Sequence, residues 1–128
     1  MSGFKSVQFL EKLGKILETN ESLKKDSVSS TKATFLFIIN NKSKESSIWY
    51  LDLKNNGSLK QLKSEDEIDT TPDVRITVTD NDLRKLIIGK SNAQRLFMTG
   101  KLKVKGNVMK AANIEKILKV VRPEKSKL

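Results

Sequence analysis

The sequence predicts an α+β fold: a single, mostly antiparallel five-stranded sheet with helices covering one face. Three observations lead there. Segments 48–54, 74–79 and 101–105 alternate apolar and polar residues, so one side of the sheet stays wet. The segment Ala33 to Ile39 is apolar on both alternations apart from Thr34, as expected of a strand central in a sheet. Apolar residues recur at helical spacing before, between and after the strands, and these amphipathic helices must cover the dry side. The 128 residues suit one domain with a real core. Residues 1–122 are expected to form it, with 123–128 as a free tail.

Each element has its own signature. Val7, Leu10, Leu13 and Leu17 predict a helix over 4–18, with Phe9 and Ile16 widening its stripe. Residues 20–31 are polar, with a short helix around Glu21 to Lys25 before a loop. After the strand at 33–39, Asn40 to Ser47 is turn-like. The next strand, 48–54, turns Trp49, Leu51 and Leu53 one way and Tyr50, Asp52 and Lys54 the other. Asn56-Gly57 signals a type I′ hairpin, because both residues tolerate positive φ, and Leu59 to Lys63 returns as an edge strand. Residues 64–73 read as an acidic loop containing Pro72. In 74–79, Val74, Ile76 and Val78 oppose Arg75, Thr77 and Thr79. Asp80 is placed to cap a helix over 81–88 that Gly89 stops. Ser91 or Asn92 starts another short helix ending at Gly100. Leu102 and Val104 then alternate with Lys101, Lys103 and Lys105. Asn107 caps the last helix, whose stripe is Val108, Ala111, Ile114, Ile117, Leu118 and Val121; Arg122-Pro123 ends it.

Composition excludes whole classes of chemistry. With no cysteine and no histidine, the chain has no disulfide, no thiolate and no Ser-His or Cys-His nucleophile. Zinc, which relies mainly on those two residues, is not expected. The longest apolar run, Phe35 to Ile39, is far below the roughly 20 residues of a spanning helix, and the N-terminal stretch lacks a signal-peptide apolar region. Net charge is +10 and uneven: residues 101–128 carry eight Lys and one Arg against Glu115 and Glu124, while 65–82 carry seven acids against Arg75. The basic end suits an anionic partner or simply a solvated surface.

Motifs narrow the reading. The final residues, Ser126, Lys127 and Leu128, form the peroxisomal import address, read by a receptor. The stretch TGKLKVKGN lacks the spacing of a phosphate-binding loop, and SEDEIDTTPD lacks the central Gly of a calcium loop. No motif matches a nucleic-acid reader, so nucleic acid is not an expected partner. The segments 81–98 and the last helix offer Leu83, Leu86, Ile87, Leu96, Phe97 and Met98, then Met109, Ala111 and Ala112. Met fills irregular spaces and Ala leaves room. Composition alone leaves open whether this lining closes as a core or holds an apolar tail.

The residues of 89–112, GKSNAQRLFMTGKLKVKGNVMKAA, resemble the signature of the sterol carrier protein type 2, or nonspecific lipid-transfer, family. The matching parts are Gly89-Lys90, Asn92 to Gln94, Leu96-Phe97 and Gly100 to Asn107. Trp49 to Lys54 followed by Gly57 is similar to the family's second strand and hairpin, and Asp73 to Asp82 to its fourth strand and following helix start. Leu83 stands where many members have an aromatic. VMKAANIEKIL looks most like the fungal peroxisomal members. The resemblance implies an apolar cavity between helices and sheet that holds fatty acids, fatty acyl-CoAs or sterols, and phospholipids as further cargo. Its expected lining is Leu83, Leu86, Ile87, Gln94, Leu96, Phe97, Met98, Leu102, Val104, Met109 and Ala112, with Gln94 as the polar contact. It implies a monomeric, non-catalytic carrier in peroxisomes, without cofactor or metal, that supports fatty-acid β-oxidation. Its partners would be the lipid, the import receptor and an anionic membrane surface. A chaperone or docking factor that protects peroxisomal enzymes is the alternative reading, and an acyl-CoA thioesterase the enzymatic one.

Overall fold

Leucine spacing builds the first helix of the computed structural model, which describes residues 4–68, 71–111 and 113–121. Helix α1 (Val7–Thr19) buries Val7, Leu10, Leu13 and Leu17 on one face, each contributing about 1.5–3 kcal/mol of burial. Helix α2 (Glu21–Thr31) runs six residues beyond the expected short helix. Asn20 starts it, its Oδ1 accepting from Leu23 N–H at 3.0 Å. Lys32 ends it in the left-handed region at φ +51°. Its inward residues include Ser27 and Thr31, so no apolar stripe announces it.

The sheet has the order β3-β2-β1-β4-β5. Its strands are β1 (Ala33–Asn40), β2 (Ser46–Leu53), β3 (Ser58–Leu62), β4 (Val74–Thr79) and β5 (Leu102–Gly106). The doubly apolar strand β1 is central. It pairs antiparallel with β2 and parallel with β4, and the remaining pairs are antiparallel. The β2–β3 connection differs from the expected type I′ turn. Its last cross-strand pair is Asp52↔Ser58, and residues 54–57 form the loop between the strands. Gly57 alone there has a positive φ, +64°. Asp52 Oδ1 holds the bend by accepting from the N–H groups of Lys54 (2.9 Å) and Asn55 (3.0 Å), so the aspartate does the work expected of Asn56.

Helices α1, α3 (Asp80–Ile88), α4 (Ala93–Met98), α5 (Val108–Ala111) and α6 (Asn113–Leu118) follow the predicted segments. Residue 112, within the expected last helix, lies outside the described residues. The core joins the helix stripes to Phe35, Phe37, Trp49, Leu51 and Ile76 on the covered side of the sheet. The other side is less uniformly wet than its alternation suggests. Leu36, on the open alternation, is buried, and it shares a depression with Ile68 and Pro72. The crossover from β3 to β4 runs there. Its 3₁₀ turn, Glu65–Glu67, is anchored by an ion pair between Glu65 and Arg75.

Asp80 corrects a second expectation. Thr79 caps α3, its hydroxyl accepting from Asp82 N–H at 3.2 Å. Asp80 is instead buried, and its carboxylate accepts from the backbone of Lys5 and Ser6 and from the Ser6 hydroxyl. The free N–H groups at the start of α1 are thereby satisfied from another helix.

Candidate functional site

Four short devices position a cleft at one end of the helix layer. Gly89, at φ +89°, ends α3, and the N–H groups of Lys90 and Ser91 both return to Lys85 O. Asn92 then starts α4, its Oδ1 accepting from Arg95 N–H at 2.7 Å. Gly100, at φ +78°, turns the chain into β5, and Lys101 N–H closes on Leu96 O at 2.9 Å. Asn107 launches α5. Its Oδ1 accepts from Lys110 N–H at 3.2 Å, and its own N–H donates to Asp73 O at 2.8 Å.

Between α4, β5, α5 and α6 lies a cleft of about 400 Å³, within the roughly 300–1,000 Å³ typical of small-ligand sites. Ala93, Phe97, Leu102, Val104, Val108 and Ala111 line it, with Gln94 and Glu115 as its polar groups. The alternation of β5 explains two of these: Leu102 and Val104 face inward, while Lys103 and Lys105 pair in register with Thr77 and Arg75 on the open side. Lys110 braces α5 by donating from Nζ to Thr31 O at the end of α2, 2.8 Å away, where the helix dipole favours a cation. Glu115 braces α6 by accepting at Oε1 from Ala93 N–H at 3.2 Å.

Of the residues singled out from sequence, Gln94, Phe97, Leu102 and Val104 share this cleft. Leu83, Leu86, Ile87 and Leu96 are buried in the continuous core. Met98 and Met109 lie outside the lining and are 75% and 86% exposed. They stand beside Phe97 and Val108, which are themselves 48% and 53% exposed, so the cleft opens through an apolar rim. Ala112 and Ser126 to Leu128 lie outside the described residues. Ala111, named from sequence within the apolar lining, also lines the cleft, while sequence reasoning missed Ala93, Val108 and Glu115 as lining. The stripe of the last helix already contained Val108 and Ala111. Glu115 had a subtler signal, as one of only two acids in a strongly basic segment.

Other depressions suit an apolar ligand less. The one on the open face has Glu65, Asp66, Arg75 and Lys105 in its walls. The one between α2 and α6 is lined largely by Ser, Thr, Asp and Lys. Among the described residues no cluster of acids could hold a metal ion, and no helix is long and apolar enough to cross a membrane.

Comparison with known proteins agrees with this fold. The model of the SCP-2 sterol transfer family matches residues 13–119. A "Fatty acid-binding protein" of Yarrowia lipolytica is 49% identical over 96 residues, 75% of this chain and 73% of the relative. The "Oleate-induced peroxisomal protein POX18" of Candida maltosa is 36% identical over 123 residues, 96% of this chain and 94% of the relative. Among solved structures, apo sterol carrier protein 2 from Yarrowia lipolytica superposes with a TM-score of 0.83 at 41% identity, covering 97% of both chains.

Proposed function

The chain belongs to the SCP-2 sterol transfer family, and from that premise we infer that it is a non-catalytic carrier of long-chain fatty acids and their CoA esters, with sterols and phospholipids as further cargo. One observation carries the reading: the apolar cleft of about 400 Å³ beneath Phe97 and Val108. Each methylene buried there contributes about 0.8 kcal/mol, so a long chain binds well before its head group is recognised. Gln94, Phe97, Leu102 and Val104 contact the ligand first. Leu83, Leu86, Ile87 and Leu96 form the floor that a longer chain reaches by displacing side chains, and Met98 and Met109 form the rim. A smooth apolar wall discriminates weakly between similar tails.

The carrier works in the peroxisome, where it supplies fatty-acid β-oxidation. Supporting this are the name of the Candida maltosa relative, an oleate-induced peroxisomal protein, and the ending Ser126, Lys127, Leu128, the form an import receptor reads. Residues 1–122 are the lipid-binding domain and 123–128 the address. The exposed apolar rim, on a chain of net charge +10, suits brief contact with an anionic membrane surface during loading.

Titration of lipid-free protein with a fluorescent long-chain fatty acid tests the reading, with saturation at one ligand per chain expected. Folded protein without saturable binding overturns it. Removing the last three residues is expected to abolish import and leave lipid affinity unchanged.

A further inference from the structure

Among the described residues that line the cleft, Glu115 is the one charged side chain, with no cation beside it in the lining. Its Oε1 is fixed by Ala93 N–H at 3.2 Å, while Oε2 has no hydrogen bond or ion pair among the described residues. Among the described residues the nearby cations of its own stretch of chain do not pair with it: Lys119, one helical turn on, is exposed and forms no ion pair. Lys110 donates to Thr31 O, and Lys116 lines the separate groove between α2 and α6. The polar end of the cleft therefore presents a positioned acceptor of negative charge, with the amide of Gln94 in the same lining.

We propose that Glu115 determines which lipid head group the cleft admits: its Oε2 accepts a hydrogen bond from a lipid hydroxyl and repels a lipid carboxylate. The inference rests on the lipid-carrier reading and names the specificity of that same cleft. An acyl chain that fills the cleft expels water, and the lower local dielectric strengthens both effects. A hydroxyl donates to the carboxylate in a charge-assisted hydrogen bond. A fatty acid must turn its carboxylate out through the rim at Phe97 and Val108, so it binds head-out, whereas a long-chain alcohol binds head-in. A fatty acyl-CoA, anionic and bulky at its head, follows the acid.

The experiment compares hexadecanol with hexadecanoate, each displacing a fluorescent apolar probe from wild-type protein and from Glu115→Gln. Glutamine keeps an acceptor for Ala93 N–H and removes the charge. Hexadecanol is the more water-averse ligand, so the quantity to read is the change in the affinity ratio and not the ratio itself. Glu115→Gln is expected to shift it about tenfold towards the acid, the size of a partly screened charge pair. Gln94→Glu, which adds a second carboxylate to the same wall, is expected to shift it the other way and keeps the idea testable if Glu115→Gln does not fold. An unchanged ratio in both variants, or equal weakening of both ligands, overturns the proposal. Wild-type protein that binds neither ligand overturns the carrier reading itself.

Discussion

The carboxylate of Asp80, the first residue of α3, accepts hydrogen bonds from both the backbone N–H (2.7 Å) and the hydroxyl (2.6 Å) of Ser6, 74 positions earlier in the chain. Lys5 N–H adds a third at 2.7 Å. One buried side chain thus fixes where α1 begins and fastens it to the helix beside the cleft. Asp80→Ala is expected to cost about 3 kcal/mol, because it strands a buried hydroxyl and two N–H groups. Asp82→Ala, half-buried and in the same helical turn, should cost under about 1 kcal/mol. Urea denaturation of the two variants checks this, and equal losses would refute the latch.

Asp73 makes stability depend on acid. The N–H of Thr34, donating to Oδ2 at 3.0 Å, holds its carboxyl below the ordinary carboxylate range, outweighing partial burial, and Lys54 at 3.4 Å assists. A depressed folded-state pKa means that the unfolded chain takes up its proton first. The contribution is therefore complete above the ordinary carboxylate pKa of about 4 and is lost as pH falls through the folded value. Asp73→Asn should flatten that part of the acid limb and leave the slope near neutrality unchanged, as read from denaturation midpoints across the pH series.

Two glycines with positive φ should respond very differently to a methyl group. At Gly106, φ +95°, an added Cβ collides with the backbone carbonyl of Asp73, while at Gly100, φ +78°, it meets nothing. Gly100→Ala should cost about 1–2 kcal/mol from backbone strain alone. Gly106→Ala should cost clearly more, since the clashing carbonyl also accepts from Asn107 N–H and the start of α5 must shift. Thermal denaturation gives the order, and a reversed order would contradict the described junction.

Phe97, proposed above to contact the ligand, has little structural duty, being 48% exposed on the rim. Phe97→Ala should weaken fatty-acid affinity about tenfold through lost apolar contact while moving the urea midpoint little. Leu96→Ala, one residue earlier and buried, should do the reverse and lower stability by about 2–5 kcal/mol. A titration and an unfolding curve for each variant separate the two roles.

Trp49 is 4% exposed, and its Nε1 donates to Ser47 Oγ at 2.8 Å. Its fluorescence should be blue-shifted and poorly quenched by acrylamide. Water-like emission from folded protein would contradict the register that pairs it with Phe37.

Much of the architecture was legible because its causes are local. The leucines of α1, the strict alternation of β4 and the caps at Asn92 and Asn107 are each written within one turn or one strand. The pattern of residues 89–112 carried the family itself. Where a local pattern was missing, reading failed: α2 buries Ser27 and Thr31, so its full length leaves no stripe. Asn56-Gly57 had the right chemistry for a tight turn, but the Asp52 carboxylate captured the loop backbone first. The sequence alone therefore determined the element types, the central strand and the apolar supply of the cleft. Tertiary structure decided the parallel pairing of β1 with β4, the destination of Asp80 and the gap that leaves Phe97 and Val108 uncovered beside Glu115. The reason is that periodicity records which face of an element avoids water. Whether that face meets a neighbour or an opening depends on the placement of helices far apart in the chain, which no local spacing encodes.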